Sequence, residues 1–248
     1  MTEEAERKRG TSEVAPIGDS LSWSELTIRL ETLPDGREVI VFGDVEELSE
    51  LVHQQGENTA GFLGTCGLVS VEGILRRMGI ETSETAVVEY AREHGLCYSE
   101  GSPEMNGGTS IFDQVLLLRD HGVGAFIDAG DSTSRLAMRI EEGRGVIAEV
   151  NAGVLWDRAE YYGEGSANHA IVVTGTARDP NSGDLSGFFI NDSAMPPGGR
   201  FVDVETMRAA FVDAGGLCVC TDALNRREPT TMFGAAPVQN GTGPRFHF

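Results

Sequence analysis

Gly64-Thr-Cys-Gly-Leu-Val-Ser-Val-Glu-Gly-Ile-Leu-Arg-Arg-Met-Gly79 is the stretch on which the reading of this chain turns. Leu68, Ile74, Leu75 and Met78 recur near the helical period, and Gly79 closes the run as a C-terminal cap. The pattern predicts a helix with Cys66 at or near its first turn. Unpaired backbone N–H groups and the helix dipole there favour a thiolate over a thiol. A cysteine in this place also fits a small, buried, inert apolar residue. Residues a hundred positions further on decide between the two.

The 248 residues suffice for one large domain. Apolar residues make up 40% and charged residues 23%, ordinary values for a chain with a sizeable core. The net charge of −20 is not ordinary. It argues against nucleic acid and anionic membrane surfaces, which carry the same sign, and suits a cationic partner. The N-terminal segment has no apolar core of the kind a secretory signal needs. No apolar run approaches the roughly 18 residues of a membrane span. The expectation is a cytoplasmic protein, with export by a route needing no cleaved signal left open.

Four cysteines, Cys66, Cys97, Cys218 and Cys220, form no dense framework and no Cys-x-x-Cys pair. A zinc site lacks a second pair of ligands, so no cofactor and no metal is expected. Cys218 and Cys220 alternate along Gly216-Leu-Cys-Val-Cys-Thr221 and are expected as buried thiols on one side of a strand.

The polar residues 1–18 predict a disordered tail, and the Gly, Pro and Thr content of 224–248 a flexible one. Between them, 19–223 reads as one domain. Thr27–Thr32 and Glu38–Phe42 flank Leu33-Pro-Asp-Gly36 as a hairpin. Helices are predicted over Val45–Val52, from Cys66, over Ser83–His94 with Ser83 and Gly95 as caps, over Ile111–His121 and over Thr133–Glu142. Short strands are predicted at Ala125–Asp128, Gly145–Val150, His169–Gly175, Gly187–Asp192 and Leu217–Thr221, with a helix over Val202–Ala214. A helical first half followed by an antiparallel sheet makes an α+β domain.

His169 opens one strand and Asp192 ends the next, joined by the turn Asp179-Pro-Asn-Ser-Gly183. In a hairpin the start of one strand lies beside the end of the other, so His169 and Asp192 become neighbours. Asn191 and Asp192 point to opposite faces, so only one can serve His169. A carboxylate fixes the tautomer of an imidazole and stabilises its cation. An imidazole beside a thiol gives an activated nucleophile. Cys66, His169 and Asp192 are a coherent catalytic set. Other polar groups read more plainly. Glu46, Glu47 and Glu50 form a solvated helix face, and His53, His94 and His121 fall near helix ends. Trp156, Tyr161 and Tyr162 either pack the loop before His169 or line a cleft beside it.

With these residues in view, the chain resembles the papain-like cysteine peptidases, above all the bacterial branch that trims double-glycine leader peptides. Thr65-Cys66-Gly67, Asn168-His169-Ala170-Ile171-Val172-Val173-Thr174-Gly175 and Phe189-Ile190-Asn191-Asp192-Ser193 carry the resemblance, which covers roughly residues 40–222. It implies a catalytic cysteine opening a long helix, with histidine and a third polar residue on the following sheet. It also implies a glutamine six residues before the cysteine, whose amide helps hold the oxyanion. Ala60 stands there. Among the nearby amides Gln54, Gln55 and Asn58, the candidates are Asn58 and Gln55, beside the Cys66 backbone N–H.

The leading expectation is a cysteine hydrolase cleaving a peptide or related amide bond of a peptide or protein substrate through a thioester. The same three groups would serve a glutamine deamidase of the toxin type. The missing glutamine supports a third reading, a non-catalytic binding module on the same fold.

Overall fold

The computed structural model describes residues 27–222. The tails expected at 1–18 and 224–248 lie outside the described residues, as do 19–26 and residue 223 of the expected domain.

The hairpin forms as its turn sequence demands. Strands β1 (Ile28–Thr32) and β2 (Glu38–Phe42) pair antiparallel. Gly36, at φ +87°, lets the chain reverse and donates its N–H to the Leu33 carbonyl at 2.9 Å. Helix α1 (Val45–Ser49) stops three residues short of the expected end, and Glu46, Glu47 and Glu50 face solvent. Helix α2 (Cys66–Arg77) is followed by Met78 and by Gly79 in the left-handed conformation, φ +77°. Helix α3 (Glu84–His94) begins where Ser83 accepts the Ala86 N–H and ends at left-handed Gly95. A capping box between Ser110 and Asp113 starts α4 (Ile111–Asp120). His94 and His121 each bond a carbonyl one turn back, Tyr90 and Leu117, as residues at helix ends do. Strand β3 (Ala125–Ala129) and helix α5 (Thr133–Glu141) follow.

The second half departs from expectation in two places. After β4 (Val146–Val150), a short helix α6 (Ala152–Trp156) occupies a segment that reads as loop. Asn151 caps it by accepting the Val154 N–H. After β5 (His169–Arg178) and β6 (Leu185–Asn191), the expected single helix Val202–Ala214 begins instead as strand β7 (Arg200–Asp203). This strand pairs with β6 from Ile190↔Arg200 to Gly187↔Asp203. Asp203 then ends the strand by accepting the N–H groups of Glu205 and Thr206, which starts α7 (Val204–Met207). A π-helical turn, Arg208–Val212, continues α7 before β8 (Leu217–Thr221).

One antiparallel sheet runs in the order β1-β2-β5-β4-β8-β3, with β6 also pairing β5 and leading to β7. Strand β5 is its spine. Ala170 and Val172 face a core with Leu68, Val71, Ile74 and Leu75 of α2, and Leu117 and Leu118 of α4. Ile171 and Val173 face the opposite core, with Leu136 and Ile140 of α5 and Phe211 of the π turn. Both faces are covered, which is why β5 reads as an unbroken apolar run. Cys218 and Cys220 share one face of β8, buried, with sulfurs 3.8 Å apart. All four cysteines are free thiols. Where β5 passes β2, Gly43 sits at φ +132°, and a Cβ there would lie 2.4 Å from the Thr174 carbonyl oxygen. Only glycine allows that approach.

No helix among the described residues is long and apolar enough to cross a membrane.

Candidate active site

Cys66 is the first residue of α2 and is partly buried. Thr65 stands at the N-cap but gives α2 no side-chain cap. Its hydroxyl donates instead to Glu84 Oε1 at 2.6 Å and accepts the Gly56 N–H at 3.2 Å. The first turn also carries no acidic residue. The positive end of the helix therefore acts on the sulfur with no carboxylate on that turn to offset it.

His169 begins β5 opposite Val150 of β4. It is 5% exposed, and its Nε2 pairs with Asp192 Oδ1 at 2.8 Å. The Cys66 sulfur stands near enough to act on the ring, and both residues line the same cleft. Burial alone would push the imidazole pKa down. The Asp192 carboxylate and the Cys66 sulfur outweigh it and raise the pKa to about 10. Asp192 itself resists burial and is held low, chiefly by His169, with Trp156 and the Ala194 N–H assisting. The structure thus brings Cys66 and His169 to one cleft, with Asp192 bonded to the ring. Asn191 faces the other way, donating to the Leu48 carbonyl at 2.6 Å and accepting the Gly199 N–H at 3.0 Å.

Trp156, at the end of α6, donates its indole N–H to Asp192 Oδ2 at 2.7 Å. Its ring meets the His169 ring edge-on at 5.1 Å and the Tyr161 ring at 5.0 Å. Each Asp192 oxygen is thereby committed, and an apolar wall stands over the imidazole. Trp156 and Tyr161 both line the cleft. Tyr162 instead uses its carbonyl to accept from Asn151. The sequence places Trp156 near His169 but gives no sign of its bond to Asp192.

The two candidate amides have different fates. Asn58 spends both hydrogens of its amide nitrogen, on the Phe62 carbonyl at 2.7 Å and Glu84 Oε1 at 2.9 Å. Its oxygen accepts the Phe62 N–H, so it shapes the loop, and it is not among the residues lining the cleft. Gln55 does line the cleft with Cys66. One hydrogen of its amide goes to the Leu63 carbonyl at 2.8 Å, and its oxygen accepts from Ser193 at 3.1 Å. The second amide hydrogen is left for another acceptor.

Glu84 organises this loop from below. It is 2% exposed and accepts from Thr65, Gly56, Glu57 and Asn58. His53 caps the same cluster, with Nε2 at 2.7 Å from buried Glu72, and so does more than meet a helix end.

Cys66 and His169 open on a cleft of about 690 Å³. One side of its lining comes from Leu63, Met105 and Thr109, the other from Trp156, Tyr161 and Asn168. The volume is that of a ligand-binding cleft.

No protein-family model and no curated protein matches the chain. Among solved structures it is similar to a protein from Bacillus anthracis described as a C39-like peptidase. That likeness has 17% identity over 71% of this chain and 96% of the other, with a TM-score of 0.51. It is also similar to a double glycine motif protease from an AMS/PCAT transporter, solved with a leader peptide. There the identity is 18% over 68% of this chain and 89% of the other, with a TM-score of 0.44. Helices packed on one antiparallel sheet are the papain-like α+β fold of the C39-like peptidase.

Proposed function

We propose that the protein is a cysteine hydrolase of a peptide or related amide bond. The observation that carries this reading is that Cys66, at the start of a helix, and His169, bonded to Asp192, line one open cleft. In this mechanism the Cys66 sulfur attacks the substrate carbonyl carbon. Its oxygen becomes an oxyanion facing the Cys66 backbone N–H and the free amide hydrogen of Gln55. His169, as the imidazolium, gives its proton to the leaving amine as the C–N bond breaks. A thioester on Cys66 remains. Water attacks it, His169 takes the water's proton, and the acid product leaves with Cys66 regenerated. Asp192 keeps the ring in place and stabilises its charge, and does not itself take up the proton.

Two measurements test the reading. Cys66→Ala abolishes turnover of a peptide mixture while the far-UV circular dichroism stays that of the wild type. Iodoacetamide labels Cys66 faster than Cys97, Cys218 or Cys220 near neutral pH, because only Cys66 has an imidazolium partner. Equal labelling of all four would leave the fold without its proposed chemistry. The non-catalytic alternative predicts that outcome.

A further inference from the structure

The cleft carries more carboxylates than the proposed reaction uses. Glu104, Glu149 and Glu160 line it, and among the described residues no lysine or arginine does. Glu149 differs from the other two. It lies on β4 directly across from Ala170, the residue after His169. That register puts it one strand spacing, about 5 Å, from the backbone that carries the imidazole. Its Oε1 accepts from Gln114 Nε2 at 2.6 Å, and no lysine or arginine pairs with it among the described residues.

Gln114 supplies a second and independent observation. It stands on α4, is 0% exposed and lines the same cleft. Its amide nitrogen is placed between Glu149 and Thr109 Oγ1. Its Oε1 is buried with no hydrogen-bond partner among the described residues. A buried acceptor without a donor is costly, so such atoms are rare. The cleft thus holds a carboxylate with no lysine or arginine against it, fixed by a buried amide whose oxygen has no partner among the described residues. Burial pushes the Glu149 carboxyl up, beyond what the Gln114 amide and the His169 charge pull down. A cation brought against it reverses that cost.

Resting on the hydrolase reading of the cleft, we propose that Glu149, held by Gln114, forms a subsite that takes a basic side chain, arginine or lysine, of the peptide substrate next to the scissile bond. A guanidinium offers five donors and an ammonium three, with no acceptors, which is the complement of such a carboxylate. Glu104 and Glu160, nearer the rim, add attraction without geometry. The surplus of negative charge in the chain as a whole acts in the same sense.

The experiment uses short peptide chloromethyl ketones that alkylate Cys66, with arginine, lysine, norleucine or glutamate at each position along the peptide. Wild-type protein reacts fastest, by about tenfold or more, with a basic residue at one particular position. Glu149→Gln removes that preference, losing about tenfold more rate with the basic reagents than with norleucine, an outcome that mere support of α4 by Glu149 would not produce. Should Glu149→Gln fold poorly, the wild-type selectivity among the four reagents still decides. Fast labelling of Cys66 with no preference for a basic residue overturns the subsite and spares the hydrolase reading. Labelling of Cys66 no faster than of the other cysteines overturns the hydrolase reading, and the subsite with it. Equal loss of rate for basic and neutral reagents in Glu149→Gln overturns the subsite alone.

Discussion

Asp192 serves two ring donors at once. His169 sits on one oxygen at 2.8 Å and the Trp156 indole on the other at 2.7 Å, while the Ala194 N–H reaches Oδ1 at 3.0 Å. The Arg200 guanidinium stands 3.6 Å from Oδ2. A carboxylate so placed stays ionised, and with the Cys66 sulfur it holds the His169 pKa at about 10 against its own burial. The sign of the consequence is fixed. A histidine whose folded pKa lies above the ordinary value near 6.5 gives stability that is fully present below that value and lost as pH climbs to the folded pKa. In the proposed reaction acylation needs the imidazolium to protonate the leaving amine, so activity would follow the same limb. For wild type, kcat/KM is expected to hold through neutral pH and fall as pH passes about 10. Asp192→Asn keeps a hydrogen-bonding group but removes the charge, so the alkaline limb moves toward the ordinary histidine range. A pH profile of peptide hydrolysis for both proteins checks this, and an unmoved limb in the variant would mean that Asp192 does not govern the ring.

At the scale of elements, the start of α2 is fastened by a side chain from α3. Glu84 occupies the first turn of α3, where a carboxylate is favoured by the dipole, and from there collects the N–H groups of Gly56 and Glu57, the Asn58 amide and the Thr65 hydroxyl. Glu84→Ala leaves these donors buried without their acceptor and should cost about 2–4 kcal/mol of unfolding free energy. It should also slow labelling of Cys66, because the loop that sets the helix start loosens. Urea unfolding and iodoacetamide kinetics measure the two, and a variant as stable and as reactive as wild type would show that the loop holds itself. None of this is written locally. Helices and hairpins with capping residues, such as Ser83, Gly95, Ser110 and the Pro-Asp-Gly turn, are legible because the signal lies within a few residues of the element. The short α6 and β7 are not, since four or five residues show no period. The helix start at Cys66 and the nearness of His169 to Asp192 are legible from their places at element ends. Glu84, Trp156, Gln114 and Glu149 are not, because each acts on a partner 19 to 36 positions away.

Over the whole molecule, the helix-then-strand order visible in the sequence hides a sheet assembled from both ends. The hairpin β1-β2 joins the second-half strand β5, and β3, lying between helices, closes the other edge against β8. Such pairings depend on distant residues, and both faces of the sheet must be covered before any of them is stable. The chain folds in this way while carrying a net charge of −20, which repels itself in the compact state. Added salt screens that repulsion at distances beyond about 10 Å, so the melting temperature should rise between about 0.02 and 0.5 M sodium chloride. The same screening weakens the long-range pull of an acidic cleft on a basic peptide. The rate at which an arginine-bearing chloromethyl ketone captures Cys66 should therefore fall, by about tenfold over that range. A norleucine reagent, which the field does not steer, should change little. Opposite responses of stability and capture separate a directed field from a general salt effect. Were both reagents to slow alike, the charge would serve solubility alone, and the acidic lining would have no part in selecting the substrate.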